Sequence, residues 1–110
     1  MMTDSYILAL VTAPSFETAE GIAHKLVEQK LAACVNILPG VRSIYAWKGE
    51  IHTDEESLLL IKTRVALFSE KLAPAIKAIH PYEVPEIIAL PIEMGAADYL
   101  DWIGQETQPA

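Results

Sequence analysis

The chain has 110 residues, a formal net charge of −7 and a hydrophobic content of 52%. This length suits one domain spanning residues 1–110, because domains usually contain roughly 100–150 residues. The hydrophobic content excludes intrinsic disorder, since disordered chains carry too few apolar side chains to form a core. The 8 lysines and arginines are scattered without a run and the net charge repels phosphate groups, so nucleic acid is not an expected partner.

Two features of the sequence indicate the compartment in which the protein works. Cys34 is the only cysteine, so it cannot form an intrachain disulfide, and this favours a reducing compartment. The apolar run at residues 6–11 is far shorter than the ~20 residues of a membrane span, and no basic segment precedes it. We therefore predict a cytoplasmic protein with no membrane partner.

The first half of the chain predicts two strands on either side of a helix. Residues 6–11 form a continuous apolar run rich in β-forming residues, which is typical of a buried strand. Ser15 is a natural N-cap, and apolar residues then recur at helical spacing to about residue 30. Residues 33–47 predict a second strand, with an edge position or a bulge expected at Leu38-Pro39-Gly40.

The second half predicts a long hairpin and then a helix, a strand and a short terminal helix. Lys48-Gly49 suits a two-residue turn, so residues 50–62 return as the second arm of an antiparallel hairpin. Residues 86–90 predict the last strand, and the terminal helix is expected to stop at Gly104. Between the hairpin and the last strand, a helix is predicted to start at residue 65 and to kink at Pro74. Its apolar face is formed by Val65, Phe68, Leu72, Ala75, Ile76 and Ile79.

This order of elements predicts an α+β fold of the ferredoxin-like βαββαβ type, with a long central hairpin and an added C-terminal helix. The hairpin contains more strand than one four-stranded domain can pair. Unpaired strand edges are usually covered or joined to another chain, so association of subunits is expected. The fold itself does not reveal the function, because it occurs in many unrelated proteins.

The chemistry-bearing residues do not form a common catalytic motif. The sequence lacks GxSxG, HExxH, GxxxxGK[ST] and GxGxxG, which counts against an enzyme. The densest candidate is residues 80–86, where two prolines favour an extended course. His80, Glu83 and Glu86 would lie ~9 Å apart along such a backbone, too far for one metal ion. A rigid loop in which His80 caps helix carbonyls is the simpler interpretation; the alternative is that His80 binds a metal together with another segment or subunit.

Other candidate residues also have simpler structural interpretations. A cysteine flanked by apolar residues, as Cys34 is, is typically a small buried hydrophobe. Asp54-Glu55-Glu56 is interpreted as a solvated strand, because neighbouring strand residues point to opposite faces and do not converge on one ion. Tyr45 and Trp47, near the end of the hairpin, could stack on a ligand, but burial against a neighbouring subunit explains them more economically.

Four segments resemble, in order, the signature blocks of the CutA divalent-cation tolerance proteins. They are Val11-Thr12-Ala13-Pro14, Leu31-Ala32-Ala33-Cys34-Val35-Asn36-Ile37, Ser43-Ile44-Tyr45-Ala46-Trp47-Lys48-Gly49-Glu50-Ile51 and His80-Pro81-Tyr82-Glu83-Val84-Pro85-Glu86-Ile87. The resemblance spans nearly the whole chain. It implies a subunit related in shape to PII signalling proteins, assembly as a tight homotrimer through the long hairpins, and a role in the tolerance of copper and other divalent metals.

The same resemblance bears on metal binding. A copper site proposed for some family members uses a cysteine at the end of the first strand and two adjacent histidines before the Pro-Tyr pair. The corresponding residues here are Val11, Ile79 and His80, so only His80 matches. Thiolate and imidazole are the ligands that suit copper best, and the loss of two of them disfavours copper binding at that site.

We therefore predict a non-enzymatic homotrimer that takes part in the response to metal ions. It requires no cofactor, and a divalent metal such as copper is a candidate ligand. The alternatives are a PII-like sensor of a small ligand and a structural trimer without direct metal binding. His80 is the candidate metal ligand, and the candidate ligand-binding residues in the cleft between subunits are Cys34, Trp47, Glu50, Lys62 and Tyr82.

Overall fold

The computed structural model describes residues 5–108. The elements in chain order are β1 (Tyr6–Ala13), α1 (Phe16–Glu28), β2 (Cys34–Trp47), β3 (Glu50–Arg64), a 3₁₀ turn (Val65–Leu67), a π-helical segment (Phe68–Leu72), α2 (Ala73–Ile79), β4 (Ile87–Pro91) and α3 (Ala97–Glu106). The strands form one antiparallel sheet in the order β2-β3-β1-β4. This is the predicted ferredoxin-like arrangement with an added helix. Between residues 5 and 108, no helix has both the length and the apolar character needed to cross a membrane.

The hydrophobic core lies between one face of the sheet and the helices α1 and α2. Alternate residues of β1 and β3 point to this face, because side chains alternate along a strand. Leu8 and Leu60 face the opposite side of the sheet and are only partly buried. The residues that fill the core from the sheet and from the helices are Ala9, Val11, Ala13, Leu59, Ile61, Ala19, Ile22, Ala23, Leu26, Leu72 and Ile76.

Helix α1 begins as its sequence predicts. Ser15 has an extended backbone, and its side chain accepts a hydrogen bond of 3.1 Å from the backbone N–H of Thr18. Such a cap typically contributes about 1 kcal/mol of stability, because it satisfies an N–H group that has no partner inside the helix. The helix therefore starts directly after β1, which places it across the core face of the sheet.

The hairpin of β2 and β3 is paired from Cys34–Lys62 at one end to Trp47–Glu50 at the other. Lys48 and Gly49 form the predicted two-residue turn, with φ values of 51° and 83°. Positive φ at both positions is characteristic of a type I′ turn, whose twist matches that of the strands. The register shifts between Leu38 and Val41, which confirms an irregularity at the predicted position. A bulge here bends the outer part of the hairpin.

The outer part of the hairpin extends beyond the rest of the sheet. Strand β1 pairs with β3 only as far as Ala13, which lies opposite Ser57. Residues 50–56 of β3 are consequently paired with β2 alone. We call residues 41–56 the hairpin arm.

The segment after β3 differs from the predicted single kinked helix. It consists of the 3₁₀ turn, the π-helical segment and α2 in succession, and Pro74 lies in the first turn of α2. Proline is tolerated there because the first turn does not use its N–H groups within the helix. Leu72 and Ile76 face the core as predicted, whereas Val65 and Ile79 are 50% and 39% exposed.

Helix α3 does not stop at Gly104, as predicted, but continues to Glu106. Gly104 is buried against Tyr6 of β1, and a Cβ atom at this position would lie 3.0 Å from the Tyr6 hydroxyl. The glycine therefore allows a close approach between helix and strand rather than a helix end. Arg64 secures the end of α3, since its Nε donates to Thr107 Oγ1 (2.9 Å) and its Nη2 donates to Thr107 O (2.7 Å).

Thr63 offers a test of the core. It lies opposite Ile7, is fully buried, and its hydroxyl has no hydrogen-bond partner within residues 5–108. An unpaired buried hydroxyl costs about 1–3 kcal/mol, and valine has nearly the same shape. We expect Thr63→Val to raise the free energy of unfolding by about 1 kcal/mol, measured as a higher denaturant midpoint with an unchanged slope.

The control for this experiment is Thr53→Val, at an exposed position of the same strand. It should change the free energy of unfolding by less than about 0.5 kcal/mol. A lower midpoint for Thr63→Val would show that the hydroxyl has a stabilising partner.

Candidate functional site

A hollow of about 630 Å³ lies between the hairpin arm and the loop that joins α2 to β4. Its volume is in the range of small-molecule pockets, about 300–1,000 Å³. Thr12 at the end of β1 forms part of the wall. The arm contributes Ser43, Ile44, Tyr45, Trp47 and Glu56, and the loop contributes Pro81, Tyr82, Glu83, Val84 and Glu86.

His80 fixes the loop to the end of β1. Its ring is buried, and its Nε2 lies 2.7 Å from the carbonyl oxygen of Thr12. The backbone N–H of Tyr82 donates to its Nδ1 over 3.1 Å. These two contacts assign the neutral tautomer that donates from Nε2 and accepts at Nδ1. His80 thus has a structural role, as the simpler interpretation predicts, but it binds a strand carbonyl instead of a helix carbonyl.

The hydrogen bonds of His80 to Thr12 and Tyr82 compete with metal binding at its ring. A metal ion requires a free lone pair on one ring nitrogen, and both nitrogens are engaged within the chain. A metal could therefore bind His80 only by displacing Thr12 or the Tyr82 N–H. Within residues 5–108, no group of three or more His, Cys, Asp or Glu side chains is placed to hold one ion. His80 as a metal ligand stays a prediction.

Tyr82 joins the loop to the hairpin arm. Its hydroxyl donates to Glu56 Oε2 over 2.6 Å, and its ring packs against His80 with centroids 4.7 Å apart. Burial, followed by the bond to Glu56, raises the pKa of the Tyr82 phenol well above its ordinary value of 10.0. Glu56 is only 7% exposed, so its carboxylate is held inside the wall of the hollow.

The prediction that Glu56 belongs to a solvated strand is wrong, because its side chain is buried. The two-residue alternation of side chains along β3 is the sequence feature that indicates burial of Glu56. Glu56 shares a face with Leu58 and Leu60, which are partly buried, whereas the neighbouring Glu55 points the other way and is exposed. The loop then covers Glu56 through Tyr82.

Aromatic side chains form the wall on the side of the hairpin arm. The ring of Tyr45 stacks on that of His52, with centroids 5.4 Å apart and planes 20° apart. The Tyr45 hydroxyl donates to Asp54, and this bond raises the pKa of the Tyr45 phenol. Lys48 Nζ lies 5.6 Å from the centroid of the Trp47 ring. The wall is therefore formed by aromatic rings that are ordered by their neighbours along the hairpin.

The hollow carries negative charge. Glu56, Glu83 and Glu86 line it, and in the described part of the chain the lining includes no lysine, arginine or histidine. Uncompensated carboxylates in a concave site favour positively charged ligands over negatively charged ones.

The five predicted cleft residues do not meet within one subunit. Trp47 and Tyr82 line the hollow, whereas Glu50 lies beside the hairpin turn outside the lining. Cys34 and Lys62 are paired at the opposite end of the hairpin, where Cys34 lies roughly 40 Å from Trp47 along β2 and Lys62 roughly 20 Å from Glu56 along β3, at about 3.3 Å per residue. A cleft that contains all five would require more than one subunit, and it stays a prediction.

Cys34 belongs to a separate polar cluster on the sheet. Its Sγ lies 3.9 Å from Lys62 Nζ, which also donates to Asn36 Oδ1. Tyr99 of α3 lies near Cys34, and burial followed by this thiol raises the pKa of the Tyr99 phenol. Cys34 is half-buried rather than part of the core, contrary to the simpler sequence interpretation. The ammonium group beside it disfavours a bound cation at this sulfur.

The raised pKa of Tyr82 predicts a loss of stability in alkaline solution. Above pH 10 the unfolded chain releases the Tyr82 proton, while the folded chain still holds it. Stability from this group is therefore complete below pH 10 and is lost as the pH rises. We expect Tyr82→Phe to remove a late step from the tyrosinate absorbance titration and to flatten the decline of the unfolding midpoint.

Glu56→Gln provides the complementary variant, because it removes the charge that opposes ionisation of Tyr82 but keeps an acceptor for its hydroxyl. Glu56→Gln should move the late step of the tyrosinate titration, which is the ionisation of Tyr82, to lower pH. Loss of a step centred at pH 10 in Tyr82→Phe would contradict the assignment.

Comparison with known proteins identifies the family. A family model described as CutA1 divalent ion tolerance protein matches residues 7–106. The divalent-cation tolerance protein CutA of Thermus thermophilus is 55% identical over 100 residues, which cover 91% of this chain and 96% of that protein. A CutA homolog of Xenopus laevis is 50% identical over 109 residues, 94% of this chain and 72% of that protein. The crystal structure of CutA1 from Oryza sativa is similar with a TM-score of 0.92 at 45% identity, covering 98% of both chains. As the four sequence segments predicted, the chain belongs to the CutA1 divalent ion tolerance protein family.

Proposed function

We propose that the protein acts as a homotrimer in the tolerance of divalent cations and in the response to metal ions, by binding rather than by catalysis. Membership of the family supports the role in tolerance. The observation that carries the assembly is the apolar, partly exposed face of the sheet opposite α1 and α2. An interface there would bury this face between subunits.

Residues of all four strands form this apolar face. Ile88 and Leu90 of the edge strand β4 are each 51% exposed, and Leu38 of β2 is 48% exposed. Apolar surface of this extent is typical of a protein interface. The register places the following residues on the face: Leu8, Leu10, Leu38, Leu58, Leu60, Ile88 and Leu90.

The two edges of the sheet support a closed ring of subunits. In the described chain, β2 pairs only with β3, and β4 pairs only with β1, so each leaves one row of backbone groups free. Pairing β4 of one subunit with the projecting β2 of the next uses two different surfaces, and such contacts generate rings when they close. Three subunits is the number that the family resemblance implies.

We also propose a cytoplasmic location. Cys34 is the single cysteine and lies beside Lys62 with no second thiol in the chain to oxidise with. A thiol in this state is typical of a reducing compartment.

A second candidate function is a sensor that binds a small ligand in the hollow. The specific observation is that Trp47 and Tyr82, both predicted cleft residues, line the same hollow together with the buried Glu56. A concave site with a few convergent polar groups is the usual form of a ligand pocket.

The assembly is tested by light scattering after size-exclusion chromatography at micromolar concentration. We expect a mass three times that of the 12.1 kDa subunit. Leu90→Glu should lower the mass because it places a charge in the buried interface. Val27→Glu on the exposed face of α1, on the other side of the sheet, is the control and should leave the trimer intact. A monomer mass for the wild type would overturn the proposal.

Copper binding tests His80 as the metal ligand. A copper ion at Nδ1 would replace the Tyr82 N–H. We expect calorimetric titration to show at most weak copper binding, which His80→Ala abolishes and Cys34→Ser retains, because Lys62 lies beside the sulfur. Equal affinity in the wild type and both variants would show that copper binds to carboxylates elsewhere and not to His80. Absence of binding in all three would show that the protein does not bind copper directly.

A further inference from the structure

We propose that the hollow binds a small organic ammonium ion, held against the ring of Trp47 and neutralised by the carboxylates of the wall. This inference rests on the second candidate function, in which the hollow is the ligand site, and it adds the chemical class of the ligand. Its basis is the combination of aromatic rings and uncompensated carboxylates in one cavity.

The aromatic rings are partly exposed within one subunit. Tyr45 and Trp47 are 41% and 39% exposed, and both line the hollow together with Tyr82. The chain's own Lys48 ammonium already lies 5.6 Å from the Trp47 centroid, within the ~6 Å range of a cation–π interaction. Trp47 therefore already contacts an ammonium group, and a ligand ammonium bound at the same ring would take the place of Lys48.

The carboxylates supply negative charge both inside the hollow and at its rim. Glu56 is nearly buried and keeps its Oε2 bonded to the Tyr82 hydroxyl, while Glu83 and Glu86 are exposed at the rim. Because the Tyr82 phenol is neutral, it orders Glu56 without cancelling its charge. A cation inside the hollow thus meets a fixed carboxylate in a partly desolvated position, where the attraction is stronger than in water.

The same lining disfavours an anionic ligand. A phosphate or carboxylate group would face Glu56, Glu83 and Glu86, and the lining residues in the described chain include no lysine, arginine or histidine to bind it. The site therefore differs in charge from phosphate-binding pockets, which depend on basic side chains or helix N-termini. The volume of about 630 Å³ leaves room for an alkylated ammonium group larger than a bare ion.

The test compares choline with 3,3-dimethyl-1-butanol, a neutral compound of the same shape, on the full-length assembled protein. Isothermal titration should show saturable choline binding and at least tenfold weaker binding of the neutral compound, a difference of about 1.4 kcal/mol or more. Glu56→Gln, which retains an acceptor for Tyr82, and Trp47→Leu should each weaken choline binding at least tenfold.

Two matched control variants separate the site from general effects. Glu93→Gln removes an exposed carboxylate outside the hollow, and Trp102→Leu removes an α3 tryptophan that is 38% exposed, close to the exposure of Trp47. Both should bind choline as the wild type does. Circular dichroism and light scattering on every variant establish that fold and assembly are retained.

Several outcomes would overturn the inference. These are equal binding of the neutral compound, choline binding that survives both hollow variants, and no saturable choline binding by a trimeric protein. Saturable binding of ATP that Trp47→Leu abolishes would preserve the sensor function but contradict the ammonium class. Choline binding by a monomer would preserve the inference and contradict the proposed homotrimer, so the two failures are distinguishable.

Discussion

The difference in length between β3 and β1 is the constraint on which the rest of the molecule depends. β3 has 15 residues and β1 has 8, and their pairing ends at Ala13–Ser57. Beyond this point the hairpin has lost its neighbour on one side, so its backbone groups and side chains need other partners. The loop after α2 supplies some of them through Tyr82 and Glu56, and the hollow is the space that this loop and the arm leave between them.

The loop can act as a wall because it is attached to other elements at two points and braced by one internal hydrogen bond. His80 binds the carbonyl of Thr12, its ring accepts from the Tyr82 N–H, and the Tyr82 hydroxyl binds Glu56. These bonds are buried or partly buried, where each is stronger than in water and expensive to leave unmade. The histidine is thus used for structure, and any role in metal binding competes with the contacts that shape the hollow.

The elements predicted correctly from the sequence are those determined by residues close together in the chain. The Ser15 cap, the Lys48-Gly49 turn and the irregularity near Pro39 each depend on residues within a few positions, and the strands follow from their apolar patterns. The errors concern contacts between distant segments. The helix end predicted at Gly104 is wrong because Gly104 packs on the distant Tyr6, and the solvated position predicted for Glu56 is wrong because its partner Tyr82 lies 26 residues away.

The two ends of the hairpin differ in charge, so the proposed interface and the proposed ligand site lie at different ends of it. At the inner end, Lys62 places a positive charge beside Cys34 and Asn36 on the apolar face, which suits an interface better than a cation site. At the outer end, aromatic rings and Glu56 form a negative hollow that still opens to solvent. Because the same two strands connect these ends, association of subunits at the inner face would fix the orientation of each arm. The proposed subunit interface and the proposed ligand site are therefore connected through the same pair of strands.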